Sequence, residues 1–531
     1  MDSSLAAAPI TWLGVNGGLT LIGPMLAIAL ALATRKILPS LGLAILAQAM
    51  VVGMQEGSLS QGLGALVTQL SEVVFSPDNA TIAAFSLLVA ALVGLLEASG
   101  ATSALIARVR GVAKGPRGAM TASWMSGAII FFDDYANCMV VGSTMKSLCD
   151  RAGVSRAKLA YIVDATAAPI ASLAIISTWV GYEIQQLQMA IPDGSDMQPF
   201  ALFIAALPYR AYCILTIVFV GAIAWSGKDF GPMLREEAAA RAKHQEMPED
   251  GAQDMHPSKH WDAILSVGTL VVATFALLYQ DGRNALVAQG ASSPYSLFDV
   301  LSSVQDPFTP MLYGSAGAFL LALLLSARAR ETTWNALGKG AAKGAGSILI
   351  ALVVLYLAWT LGGLIKASGA GDFLAALLGD TMTPWLLPPV TFALAALTAF
   401  STGSSYFTMA ALIPLVVPLA FAMSPSGGVI VLATAAAVLD GAVLGDHASP
   451  ISDTTILSSM GAGIDVAKHV ETQLPYVLLV GFAAIVSLSV CSAMGLSPFL
   501  VLPIAALSCV GCLLRIGKRP EPLPTPGNQP A

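Results

Sequence analysis

Between positions 440 and 460 the chain places Asp440, Asp446, His447, Ser449, Ser452, Asp453, Thr454 and Thr455 inside a stretch otherwise apolar and long enough to cross a bilayer. A carboxylate at membrane depth costs about 2.5–3.5 kcal/mol on insertion scales, so three idle ones would cost roughly 8–10 kcal/mol. Such groups persist where they line a cavity and meet a ligand. Acids flanked by hydroxyls suit a small hard cation or a proton, and the segment is a candidate binding site of a transporter.

Pro450 in this stretch, and Pro169 in an earlier one, each remove a backbone donor and displace the carbonyl one turn back. Freed carbonyls and neighbouring hydroxyls complete an oxygen cage. Asp164 and Thr166 precede the first break, whereas Asp446, His447, Ser449, Ser452, Asp453 and Thr454 surround the second. Burial and like-charge crowding favour a neutral carboxyl, while a bound cation favours the ionised one. Cation and proton then compete for one site, as exchange requires. His447 can titrate near neutrality or act as a hydrogen bonder behind the site. Asp133 also suits a helix N-cap, and Asp440 a structural partner.

The elements that hold these residues must be membrane helices. Hydrophobic residues make up 56% of the 531 and charged ones 11%, with mean hydropathy +0.75. A soluble chain could not cover that apolar surface, so the class is an all-α polytopic membrane protein. The net charge of −6 is small and says nothing of nucleic acid, but no basic patch with interleaved aromatics is present, so no nucleic-acid partner is expected. Six cysteines fall mostly in apolar runs, and Cys509 and Cys512 lack the second pair that metal or redox use would need. No HExxH, nucleophile elbow or Walker A motif marks an enzyme, and no cofactor is expected.

About 11 apolar runs reach the roughly 20 residues needed to span. Basic residues crowd alternate connections, while 55–79, 185–199 and 367–383 read as loops without Lys or Arg. The positive-inside rule then sets the N-terminus outside and the C-terminus in the cytoplasm. The N-terminus lacks the basic n-region of a secretory signal, so the first apolar run is expected to remain as a helix. The segment 118–147 has basic flanks at both ends and is too short for two crossings, which predicts a re-entrant hairpin. Its tip carries Asp133, Asp134 and Asn137. A second uncharged stretch, 384–423, predicts another hairpin, with Ser404 and Ser405 at its tip.

The chain also repeats itself. Residues 167–177 align with 448–458, sharing Ala, Pro, Ile, Ile and Ser at five of eleven positions. This predicts two inverted repeats, 18–226 and 261–495, each with a hairpin and a broken helix (159–184 and 429–460), the usual plan of a secondary transporter. The stretch 227–260 reads as a solvated cytoplasmic linker, 497–514 as an extra helix and 515–531 as a disordered tail. Glu183 reads as interfacial and His469 as a cytoplasmic loop residue. Arg210, deep in an apolar helix, can pair with a buried carboxylate, snorkel, or anchor the carboxylate of an organic substrate.

Gly445, Asp446, His447, Ala448, Ser449, Pro450, Ile451, Ser452, Asp453, Thr454 and Thr455, with Thr472, Gln473, Leu474, Pro475 and Tyr476, closely resemble the signature of the NhaC-type sodium/proton antiporter family. The runs 131–137 and 160–169 look like the matching first-half motifs, and the resemblance covers roughly 80–495. It implies the ion-transporter superfamily fold, often dimeric, in the bacterial cytoplasmic (inner) membrane, with the lipid bilayer, sodium ions and protons as partners. The expected function is exchange of sodium or lithium for protons, with a sodium site at Asp134, Asp164, Asp446 and Asp453. Relatives include carriers of organic acids and amino acids, so a sodium- or proton-coupled organic carrier is the alternative.

Overall fold

The computed structural model describes residues 17–521 apart from positions 35, 111–112, 193, 196, 245–259, 291–293, 329–332, 379–381 and 426. Among the described residues every regular element is helical. Among the described residues eleven helices are long and apolar enough to cross a membrane, and Pro199–Tyr209 with Ala211–Ser226, bent by 45°, makes a twelfth if the pair is taken as one span. Each follows from a mostly apolar run long enough, at about 1.5 Å per residue, to cross the hydrocarbon core. The chain is an all-α, multi-pass membrane protein.

The broken helix expected over 159–184 consists of Arg156–Thr166, a short turn Ala168–Ala171, an unwound segment 172–179 and Val180–Ala190. Pro169 lies in the short turn. Ser177 replaces the missing helical bonds: its hydroxyl donates to Ala171 O at 2.6 Å and accepts from the backbone amides of Trp179 and Val180. The second broken helix runs Val429–Ala448, breaks at 449–452 around Pro450, and resumes as Asp453–Ala462. Residues 453–458 are therefore helical where their aligned counterparts, 172–177, are unwound. The stretch 55–79 contains a helix, Leu59–Phe75, started by Ser58, whose side chain accepts from Gln61 N.

Two helix pairs bracket these breaks. In the first, Gly115–Ile129 turns at 130–133 into Asp134–Ala136, a π-helical turn Asn137–Val141 and Gly142–Arg151. Asp133 caps the returning helix, accepting from Ala136 N at 2.7 Å. In the second, Leu387–Thr402 turns through Gly403 and Ser404 into Ser405–Met423, and both arms have spanning length once the turn Pro384–Leu386 is counted with the first. Gly403 is required there: its φ is +66°, and a Cβ would stand 2.7 Å from the carbonyl oxygen of Ile451. Ser404 caps the returning helix, accepting from Phe407 N at 3.2 Å.

The core lies at these elements. The most apolar windows of Ser405–Met423 and Val429–Ala448 are each 78% buried, against 22% for Pro498–Ile516, which presents most of its surface to lipid. The connection after Ser226 is less solvated than its charges suggest. Its helix Gly231–His244 buries Met233 and Glu237, and Glu237 accepts from Ser155 N at 2.8 Å. Burial pushes the Glu237 carboxyl above its ordinary range, with Lys158 pulling the other way. Asp229 pairs with the buried Lys158 and accepts from Tyr476 Oη at 2.7 Å. The stretch expected as a disordered tail is ordered in its first part: residues 515–516 end the last helix, Lys518 bridges Asp229, and Pro520 O accepts from Arg241. Its remainder, like residues 245–259 of the connection, lies outside the described residues.

Candidate ion-binding site

Both turns and the second break meet at one cavity of about 490 Å³. Asp133, Tyr135, Ser404, Tyr406 and Asp453 line one wall. The opposite wall comes from Pro77–Ala98 and the segment 343–354, which approach closely: a Cβ on Gly94 would lie 2.1 Å from Gly340 O. Glu97 and Lys343 also line it and pair at 3.8 Å. The remaining charged side chains in the lining are the carboxylates Asp133 and Asp453.

Three helices begin at this cavity, at Asp134, Ser405 and Asp453. Each start directs unpaired amides and a positive dipole end towards the acids, which helps keep them there. Tyr135 Oη donates to Asp453 Oδ2 at 3.3 Å, joining the first turn to the second broken helix. Asp134 and Asp446 lie just behind, at 5% and 6% exposure. Ser405 Oγ donates to Asp446 Oδ2 at 2.9 Å, tying the second turn to the same helix.

The other expected residues divide between this cluster and its support. Ser452 and Thr454 share a hydroxyl contact at 3.1 Å beside Asp453. Ser449 donates to Phe400 O at 2.7 Å and fastens the break to the second helix pair. Asn137 donates to the carbonyls of Gly127, Ile130 and Thr166, fastening the first turn to the first broken helix. Thr166 turns back on its own helix, donating to Ile162 O at 2.7 Å. His447 stands behind the cluster, with Nδ1 2.7 Å from Tyr212 Oη.

The four carboxylates do not form the expected single sodium site. Among the described residues no three His, Cys, Asp or Glu side chains converge on a common metal position. Asp164 is turned away, and its Oδ2 is held by Thr455 Oγ1, His469 Nε2 and Gln473 Nε2 at 3.2, 3.1 and 3.3 Å. Several anions at one point would repel strongly in so dry a setting. The fit to a cation lies instead in single orphaned oxygens: Asp446 Oδ1, Asp164 Oδ1 and Asn137 Oδ1 are buried and accept no hydrogen bond. Such atoms are costly unless a ligand meets them.

Arg210 does not face the cavity, because its guanidinium is engaged inside the protein. Nε donates to Asp440 Oδ1 at 2.7 Å, Nη1 reaches Glu183 Oε2 at 3.5 Å, and Nη2 bonds Ser172 Oγ. Asp440 also accepts from Tyr212 N at 2.6 Å. Glu183, expected at the interface, is fully buried, and so is His469, expected in a loop. Sequence reasoning missed His469 although a signal existed: His469 and Gln473 are four residues apart on one helix, so they share a face and both reach Asp164.

Residues 173–493 match the sequence model of the Na+/H+ antiporter family. The chain belongs to the Na+/H+ antiporter family. An uncharacterized protein of Haemophilus influenzae is 31% identical over 472 residues, 87% of this chain and 89% of that one. The arginine/ornithine antiporter ArcD of Halobacterium salinarum is 28% identical over 194 residues, 36% of this chain and 37% of that protein. Among solved structures, the YdaH transporter of Alcanivorax borkumensis matches with TM-score 0.59 at 17% identity, over 86% of this chain and 98% of that one. MtrF of Neisseria gonorrhoeae, described with a class of antimetabolite efflux pumps, matches with TM-score 0.54 at 15% identity, over 82% and 85%. At such identities the likeness is one of fold. This member of the Na+/H+ antiporter family is a secondary transporter.

Proposed function

We propose that the chain exchanges sodium or lithium for protons across the cytoplasmic membrane, with its N-terminus outside and its C-terminus in the cytoplasm. Family membership supports this reading. The observation that carries it is the cavity where both turns meet the second broken helix, whose deep wall offers carboxylates and hydroxyls but no Lys or Arg. Asp446, buried behind the lining, binds the cation through its orphaned Oδ1, with Asp134 and the cavity-lining Asp453 as the neighbouring acids. Asp164 braces the two broken helices against each other. If two protons move per sodium, the exchange gains about 2.3 kcal/mol per 100 mV of membrane potential.

The test is proton flux in proteoliposomes, read with a trapped pH dye after adding sodium, lithium or potassium. Sodium-driven proton movement that disappears in Asp446→Asn supports antiport through this site. A correctly inserted wild type that answers no cation overturns it.

A second reading is favoured by one observation. The cavity is far larger than a bare ion, and it joins Asp133 and Asp453, the Glu97–Lys343 pair, the rings of Tyr135 and Tyr406 and three helix N-termini. An amino acid would find acids and aromatic faces for its ammonium and helix N-termini for its carboxylate. Amino-acid-driven proton movement without a sodium response would select this reading.

A further inference from the structure

We propose that Glu183 is a proton-binding residue of the transport cycle, separate from the acids at the two turns. The inference starts from charge. Arg210, Asp440 and Glu183 form a fully buried cluster of one guanidinium and two carboxylates. Asp440 makes the short contacts, 2.7 Å to Arg210 Nε and 2.6 Å to Tyr212 N, and so neutralises the guanidinium. Glu183 is left with a 3.5 Å contact to Arg210 and a 2.6 Å bond from Ser172 Oγ. An uncompensated carboxylate at this depth is costly, and a proton on Glu183 removes the cost. The cluster is then neutral. Releasing that proton leaves one net negative charge.

Position gives this charge change a consequence. Ser172 begins the unwound segment 172–179, and Arg210 Nη1 also reaches Ser172 O at 3.3 Å. At the other end of that segment Thr178 N donates to Phe132 O at 3.0 Å, next to the cavity acid Asp133. Trp179, the last residue of that segment, and Tyr182, next to Glu183 on the helix Val180–Ala190, both pack on Tyr406, just past the second turn, with ring centroids 5.1 and 4.4 Å away. Both turns that frame the cation site are therefore joined to the element carrying Glu183. The same helix continues to Met189 and Ala190, which line a second cavity of about 990 Å³ with Lys366, Asp372, Pro414 and Pro418. Glu183 thus stands between two cavities. Its proton leaves to water on the second side while the cation is held on the first. The titratable and charged groups facing Glu183 are Arg210, Asp440 and, through Arg210, the Cys213 thiol.

The assignment rests on the proposed exchange, so the experiment reads the proton directly as well as through transport. Infrared difference spectra of the purified full chain are recorded for wild type, E183Q and S172A across neutral pH, with and without sodium. Wild type is expected to show the C=O stretch of a protonated carboxylic acid that E183Q lacks and that changes when sodium is added. In proteoliposomes, E183Q is expected to lower sodium-driven proton flux at least about tenfold and to flatten the pH profile of what remains, while E183D restores a pH-dependent profile. An acid band that persists unchanged in E183Q, or an E183Q pH profile matching wild type, overturns the proposal. If E183Q fails to insert, S172A decides: loss of the hydroxyl bonded to Oε1 must shift the band, and an unshifted band overturns the assignment. A wild type without sodium-driven flux would sink the exchange reading, while the band would still report whether Glu183 holds a proton.

Discussion

His469 Nε2 lies 3.1 Å from Asp164 Oδ2, with both side chains fully buried. One residue comes from the first broken helix and the other from the long helix after the second, so the contact ties the two halves together. Thr455 and Gln473 bond the same oxygen, and Gln473 also donates to His447 O at 2.7 Å. Asp164 is thereby a bracket between the breaks. His469→Leu removes a donor from a buried carboxylate and should lower exchange at least about tenfold, whereas His469→Gln keeps a donor and should stay within about threefold. Sodium-driven proton flux at matched membrane levels checks both. Equal activity in His469→Leu would show that Asp164 does not depend on the histidine.

Arg210 and Asp440 make a different kind of pair. Removing one partner of a buried ion pair costs roughly 3–5 kcal/mol because the other charge is stranded. Arg210→Met alone should therefore lower the melting temperature in detergent sharply. Replacing both partners, Arg210→Met with Asp440→Leu, should recover much of that loss, since Glu183 can stay protonated. An Arg210→Met protein as stable as wild type that fails to bind an organic acid would restore Arg210 as a substrate anchor.

Glu237 gives a pH dependence outside the membrane helices. Burial holds its carboxyl above the ordinary value of 4.5. The folded state therefore binds the proton more tightly than the unfolded state. That stabilisation is full below the unfolded value and is lost as pH rises through the raised folded one. Glu237→Gln, which cannot ionise, should remove this part of the decline. Thermal melts of wild type and variant should converge on the acidic side and separate as pH rises, with the variant the more stable. Parallel curves would mean that Lys158 already compensates the ionised form.

The spans, the two turns and both broken helices are legible in the sequence because each leaves a one-dimensional trace: a long apolar run, a basic flank, a proline near acids. Asp133, Asp134, Asp446 and Asp453 were legible for that reason. Partners across the fold were not. Nothing local to Arg210 says that it meets Asp440, 230 positions away, or Glu183, 27 positions away. Pro169 marks the first break, but not the extent of the unwinding over 172–179, because the bonds that hold that segment go to Ser177 and Phe132. By sequence Lys158 belongs with Lys146, Arg151 and Arg156 to one basic connection, and only the packing of Asp229 and Tyr476 against it makes it a core residue.

Gly445, one residue before Asp446, tests whether the second helix pair must sit tightly on the second broken helix. A Cβ there would lie 2.1 Å from Ala396 O and 2.6 Å from Phe400 N. These atoms are backbone, so relief requires Leu387–Thr402 to move away as a unit. That movement would stretch the Ser449 bond to Phe400 O, now 2.7 Å, and the Ser405 bond to Asp446, now 2.9 Å. Overpacking of this kind typically costs about 1–3 kcal/mol. Gly445→Ala should therefore lower stability by about that amount and raise the sodium concentration needed for half-maximal exchange at least about fivefold. Gly42→Ala is the control, since a Cβ there meets nothing within 4 Å and alanine favours the helix Ile37–Glu56. Both variants add one methyl to an apolar helix, so a sodium dependence altered in Gly445→Ala alone would trace the effect to the contact that positions Asp446. Unaltered sodium dependence in both would mean that Asp446 keeps its place without the tight approach, and Ser405 would no longer be needed to explain how the second turn reaches the ion.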